Sequence, residues 1–181
     1  MHFRNRKIAQ LWCLIQFLQA VHVKRAIAEL ATGSKQDFWS YLQGLTTDKA
    51  SIEFAKVFDS TKDHTHWTQS FDKSSQDEIR EKLFATLKIS SADWDTYRGT
   101  ILDYRNQLAA HHDTDTMVAS YPDFTIAVNA AFFMYKEIWK ITHLHLDASI
   151  PDDLGEYFDT YDKKIRQSIR KSFKEPDCMI S

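Results

Sequence analysis

The run DYRNQLAAHHDTD, residues 103 to 115, sets a guanidinium and two imidazoles within about one helix length of each other. Arg105 is permanently charged and can grip a phosphate through two parallel N–H donors. His111 and His112 can each take or give a proton near neutral pH. Such groups can handle the protons and charge of phosphate chemistry, and cleavage of an RNA phosphodiester is one reaction they could serve. RNA brings its own nucleophile, the 2′-hydroxyl, so no metal is needed if protons and charge are managed. A neutral imidazole can take the 2′-OH proton, a protonated one can assist the leaving 5′-oxygen, and Arg105 suits the charge on a pentacoordinate phosphate. Asn106 can hold Arg105 or the phosphate by hydrogen bonds. Asp113 can orient an imidazole, although an exposed helix-end carboxylate is the commoner role.

A helix must position these groups. With Ile101 at the centre of one face and 100° per residue, Trp94, Tyr97 and Leu108 fall within roughly 40° of it and define a buried stripe. Arg105 lands roughly 40° to one side and His112 roughly 20°, both inside the stripe. His111 falls on the opposite edge near Tyr104, and Asn106 points away. A buried guanidinium is costly unless it is paired or faces a wet cleft, so Arg105 demands a partner. That partner is either a carboxylate, such as Asp103 or Glu137, or a ligand phosphate. In the first case the histidines simply favour the negative C-terminal end of the helix.

Apolar residues recur at three- and four-residue steps along almost the whole chain, which predicts an all-α bundle of about six to seven helices. Residues 1–175 read as one helical domain, with 176–181 a polar tail. Leu11, Leu14, Ile15, Leu18, Val21, Ile27 and Leu30 mark a first long helix, ending before Gly33. A second is expected from about Ser34 to Leu45, and a third, short one through Ile52, Phe54, Val57 and Phe58. The polar stretch DSTKDHTHW should be an exposed connection. Ser75 with Glu78, and more weakly Ser90 with Asp93, are capping-box signals for the next two helices. The segment TDTMVASY reads as a loop. Pro122 precedes a long helix through Phe132, Phe133, Tyr135, Ile138, Trp139 and Leu144, and a last helix follows Pro151.

Other groupings carry weaker chemistry. His64 and His66 point to opposite faces of an extended loop, and His143 and His145 lie about 200° apart on a helix, so neither pair shares an ion. No metal or other cofactor is expected. The basic run Lys163, Lys164, Arg166, Arg170 and Lys171 can track an RNA backbone by phosphate contacts, or serve as a solvated helix face. Trp12, Trp39, Trp94 and Trp139 fall at core-type positions and read as packing. A net charge of −2 gives no global attraction to nucleic acid or anionic lipid, so any such contact must be local. Cys13 and Cys178 form neither a metal-ligand spacing nor a disulfide framework, which points to a reducing cytoplasm. The N-terminal apolar run is interrupted by Gln10, Gln16 and Gln19 and is too short to span a bilayer, so no membrane contact is expected.

The wording R-N-x-x-x-A-H-x-D, Arg105 to Asp113, resembles the R-x(4–6)-H motif of HEPN domains. The resemblance covers this short run together with helical architecture and size. It implies an all-α, often dimeric domain, and for many members RNA cleavage in a toxin or phage-defence setting. His111 matches the motif histidine and His112 is its substitute. Two such helices would face each other across a homodimer, and an antitoxin or activator protein would be a further partner. The alternative from the residues alone is a non-catalytic helical module that binds a protein or nucleotide.

Overall fold

The computed structural model describes residues 3–31, 37–110, 121–142 and 150–172. Among them are six α-helices, one short 3₁₀ turn and no strand: α1 (Phe3–Leu30), α2 (Asp37–Phe58), the turn at Trp67–Ser70, α3 (Lys73–Leu87), α4 (Ser91–Ala110), α5 (Thr125–Lys140) and α6 (Leu154–Ser172). The expected all-α bundle is what forms.

Helix α1 is the central element, because its apolar residues recur around more than one face. Leu11, Leu14, Ile15, Phe17, Leu18 and Val21 are all essentially inaccessible to solvent. Each such side chain contributes about 1.5–3 kcal/mol on leaving water. Helices α2, α5 and α6 pack around α1, while α4 lies on α2 and α3 on α5. Phe17 marks the centre, with the rings of Phe54 and Phe124 each 5.8 Å away.

Two expected helices fuse into one. A break is expected between Leu45 and Ile52, yet α2 runs unbroken through TTDKAS. The hydroxyls of Thr46, Thr47 and Ser51 donate to the carbonyls of Leu42, Gln43 and Thr47, so these poor helix formers are satisfied inside the helix. Helix α3 begins earlier than the Ser75 signal, since Asp72 is the N-cap and accepts from the Ser75 N–H at 2.9 Å. The weaker signal for α4 is the one that forms. Ser90 Oγ accepts from the Asp93 N–H at 3.1 Å, and Asp93 Oδ2 accepts from the Ser90 N–H at 3.1 Å. Pro122 lies three residues before α5, whose first turn is held by Asp123 accepting from the Thr125 N–H.

The helix directions gather several ends together. Contacts between Gln19 and Tyr157, His22 and Asp162, and Glu29 and Arg166 rise in step, so α6 runs parallel to α1. Trp94 meets Phe58 and Tyr104 meets Asp48, so α4 runs antiparallel to α2. A small apolar cluster of Ala26, Ile27, Trp39 and Ile169 ties the end of α1 to the start of α2 and the end of α6. The C-terminal end of α4, which leads to His111, therefore lies at the same end of the bundle as the basic half of α6.

Candidate functional site at the junction of α2 and α4

Arg105 sits at a rim and not in the core. Its Nη2 donates to Asp59 Oδ2, with the two side chains 28% and 30% exposed. Helical side chains lean toward their own N-terminus. Arg105 therefore reaches back along α4 to Asp59, the residue that follows α2. The expected partners Asp103 and Glu137 do not serve: Asp103 is exposed, and Glu137 pairs with Lys140 at 2.5 Å. Arg105 Nε is buried and has no hydrogen-bond partner. The apolar stripe of α4 holds Trp94 and Ile101 as expected, but Tyr104 is buried beside them and donates to Asp48 Oδ1 at 2.7 Å.

Arg98, two turns before Arg105, closes the same junction. Its Nη1 donates to the carbonyls of Phe58 at 3.0 Å and Asp59 at 3.3 Å, capping the C-terminal end of α2. Nη2 makes only a long contact to Asp95, 3.4 Å, and Nε is buried without a partner. Asp59 thus links the two arginines, by its carboxylate to Arg105 and by its carbonyl to Arg98.

A histidine expected in an exposed loop lies on the other side of this junction. His64 is exposed, but His66 is only 4% exposed. Its Nδ1 accepts from the Thr68 N–H at 3.3 Å and pairs with the Thr68 hydroxyl at 2.7 Å, capping the 3₁₀ turn. With Nδ1 accepting, the ring proton resides on Nε2. Burial, then the charges of Arg98 and Arg80, push the imidazole down to about 4, so it is neutral at pH 7. Buried Gln10 of α1 pins this segment by donating to the His66 carbonyl at 2.7 Å and accepting from Ser70. A polar residue fully inside α1 and a Thr two places after the histidine are the signals that point to it.

Together these residues wall a cleft of about 210 Å³ between the 3₁₀ turn, α3 and α4, lined by His66, Trp67, Arg80, Trp94, Asp95 and Arg98 among others. The Arg80 guanidinium lies over the Trp67 ring, 5.7 Å from its centroid.

Of the residues expected to do chemistry, Arg105 is at the rim and Asn106 is exposed on α4. His111, His112 and Asp113 lie outside the described residues. The basic residues of α6 divide. Lys163, Lys164, Arg170 and Lys171 are exposed, whereas Arg166 bonds Asp162 at 2.5 Å and Glu29 at 2.6 Å and fastens α6 to α1. Lys163, Arg166, Arg170 and Lys171 line a shallow groove of about 480 Å³. Trp39 and Trp94 are core residues as expected, while Trp12 and Trp139 are half-buried against the core.

Among the described residues no group of three or more His, Cys, Asp or Glu is arranged to hold a metal ion, and no helix is long and apolar enough to cross a membrane. Compared with known proteins, the chain matches no family model, no curated protein and no solved structure.

Proposed function

We propose that this chain is a metal-independent endoribonuclease of the HEPN-like kind, acting in the cytoplasm within a toxin or phage-defence system. The observation that supports this reading best is the setting of Arg105. Arg105 lies at a rim, 28% exposed and held through Nη2 by a single carboxylate, so its terminal nitrogens can turn onto a phosphate at the cost of one ion pair. Asp59 then acts as the group that holds Arg105 ready when no RNA is bound.

In this mechanism His111, with His112 as substitute, takes the proton from the 2′-hydroxyl, whose oxygen attacks the adjacent phosphorus. The P–O5′ bond breaks and the 5′-oxygen receives a proton from a protonated imidazole. Arg105 stabilises the extra charge on the phosphorane, and Asn106 steadies either the guanidinium or the phosphate. A two-fold homodimer bringing together two copies of the α4 end would supply both a basic and an acidic imidazole. Lys163, Lys164, Arg170 and Lys171 hold the RNA backbone at the same end of the bundle, with Arg166 as their structural anchor. An antitoxin or activator protein would control the activity. The second reading, a non-catalytic helical binding module, draws on the fact that Asp59 already satisfies one donor of Arg105.

The test is incubation of single-stranded RNA, and of the same strand with 2′-deoxy sugars, with the chain in excess chelator. Cleavage of the RNA to products ending in 2′,3′-cyclic phosphate, with the deoxy strand intact, is the expected result. Equal cleavage of both strands removes the 2′-hydroxyl mechanism, and cleavage of neither removes the nuclease in favour of the binding module.

A further inference from the structure

The cleft beside Asp59 takes no part in the chemistry above, yet its construction is specific. At about 210 Å³ it falls below the roughly 300–1,000 Å³ of sites for drug-sized ligands. It suits one ring system and not a whole nucleotide. Its lining carries two guanidinium groups, Arg80 and Arg98, and two carboxylates, Asp59 and Asp95. A bare phosphate entering it would meet as much negative charge as positive.

What remains is a mixed set of donors and acceptors beside aromatic side chains. His66 has its Nδ1 committed to Thr68, which leaves Nε2–H as its only ring donor. Asp95, 63% exposed and only loosely held by Arg98 at 3.4 Å, is an acceptor at the mouth. Trp67 and Trp94 supply apolar surface, and the guanidinium plane of Arg80 above Trp67 offers a further flat face. Planar heterocycles stack on aromatic rings and arginine planes, and are read along an edge that carries both donors and acceptors.

We propose that this cleft receives one unpaired nucleobase of an RNA strand, adjacent to the phosphate held by Arg105. Asp59 belongs to both sites, lining the cleft and pairing with Arg105, so the base and the phosphate would be seated on two sides of one carboxylate. His66 and Asp95 are then the residues that set base preference. The natural ligand rests on the RNA reading given above; the binding of a base does not require cleavage.

The experiment titrates the full chain with adenosine, guanosine, cytidine and uridine, none of which carries a phosphate. Inorganic phosphate is the counter-probe. The His66 ring and Thr68 amide signals are followed by NMR, with tryptophan emission alongside. At least one nucleoside should saturate these signals below roughly 10 mM, and phosphate should not. His66→Asn keeps an oxygen that can cap the 3₁₀ turn but removes the imidazole N–H, and should weaken the preferred nucleoside about tenfold. Asp95→Asn, a change at the exposed mouth, should alter which nucleoside binds best. If no nucleoside moves these signals, if phosphate moves them equally, or if both variants bind as the parent does, the base pocket is overturned. Each of these outcomes is independent of the nuclease. Nucleoside binding by a chain that cuts no RNA keeps the pocket and removes the nuclease, and cutting without nucleoside binding does the reverse.

Discussion

Replacing Arg105 by Lys separates a residue that performs chemistry from one that holds the fold. The change removes one charge-assisted hydrogen bond to Asp59 at a rim where both side chains are about a quarter to a third exposed. Hydrogen bonds to charged groups contribute about 1.5–3 kcal/mol when shielded, and exposed ion pairs about 0.2–1 kcal/mol. Lysine also lacks the Nε that is buried without a partner here, which offsets part of the loss. The net cost should be about 1 kcal/mol, a fall in Tm of roughly 2–4 °C for a chain of this size. Urea denaturation followed by circular dichroism measures it. The effect on RNA cleavage should be much larger, about 10²–10³-fold, because the bidentate fork that matches a phosphorane is gone. A loss above about 3 kcal/mol, with activity falling only as far as the unfolded fraction requires, would show a structural arginine and refute the reasoning.

Other consequences follow from the same structure. The folded chain holds the His66 imidazole near 4 against an ordinary 6.5, so it binds that proton less readily than the unfolded chain does. The resulting stability is intact above pH 6.5 and is lost as pH falls from there through 4, by ~3 kcal/mol in total. Urea midpoints from pH 7 to 4 should show this decline, and His66→Asn should flatten it. Lys88 ends α3 in the left-handed region with φ 56°, so Lys88→Gly should raise stability by about 1 kcal/mol, read as a higher urea midpoint. Exchanging Lys163, Lys164, Arg170 and Lys171 for Gln should lower the salt dependence of RNA binding by up to ~0.7 in logarithmic slope for each phosphate no longer neutralised. An unchanged slope would place the RNA elsewhere.

The helical architecture was legible because one face of nearly every segment is apolar at the helical period, and burial follows that pattern from Leu11 to Ile138. Local capping chemistry was legible where both partners are close in sequence, as in Ser90 and Asp93. It misled where a stronger cap stood just upstream, at Asp72. The continuity of α2 was hidden, since Thr46, Thr47 and Ser51 weaken a helix on average and only back-bonding to their own helix accommodates them here. For the site, the spacing within α4 singled out Arg105, but the partner was beyond reach of periodicity. Asp59 lies on a different helix end, 46 residues away, and meets Arg105 only through the packing of α4 on α2. The burial of His66 is hidden in the sequence for the same reason. Its burial depends on Gln10, 56 residues earlier, drawing the polar connection down onto α1.

The claim that this helix performs RNA chemistry is tested most directly by comparing His111→Ala and His112→Ala in chelated RNA cleavage, each set against the unaltered chain. His111→Ala should lower the rate by about 10²–10⁴-fold, the usual contribution of a positioned acid or base, with His112→Ala milder and both variants folded. If His112→Ala carries the loss instead, the two roles exchange. If both variants cleave at the full rate, the histidines move no proton and the endoribonuclease mechanism fails.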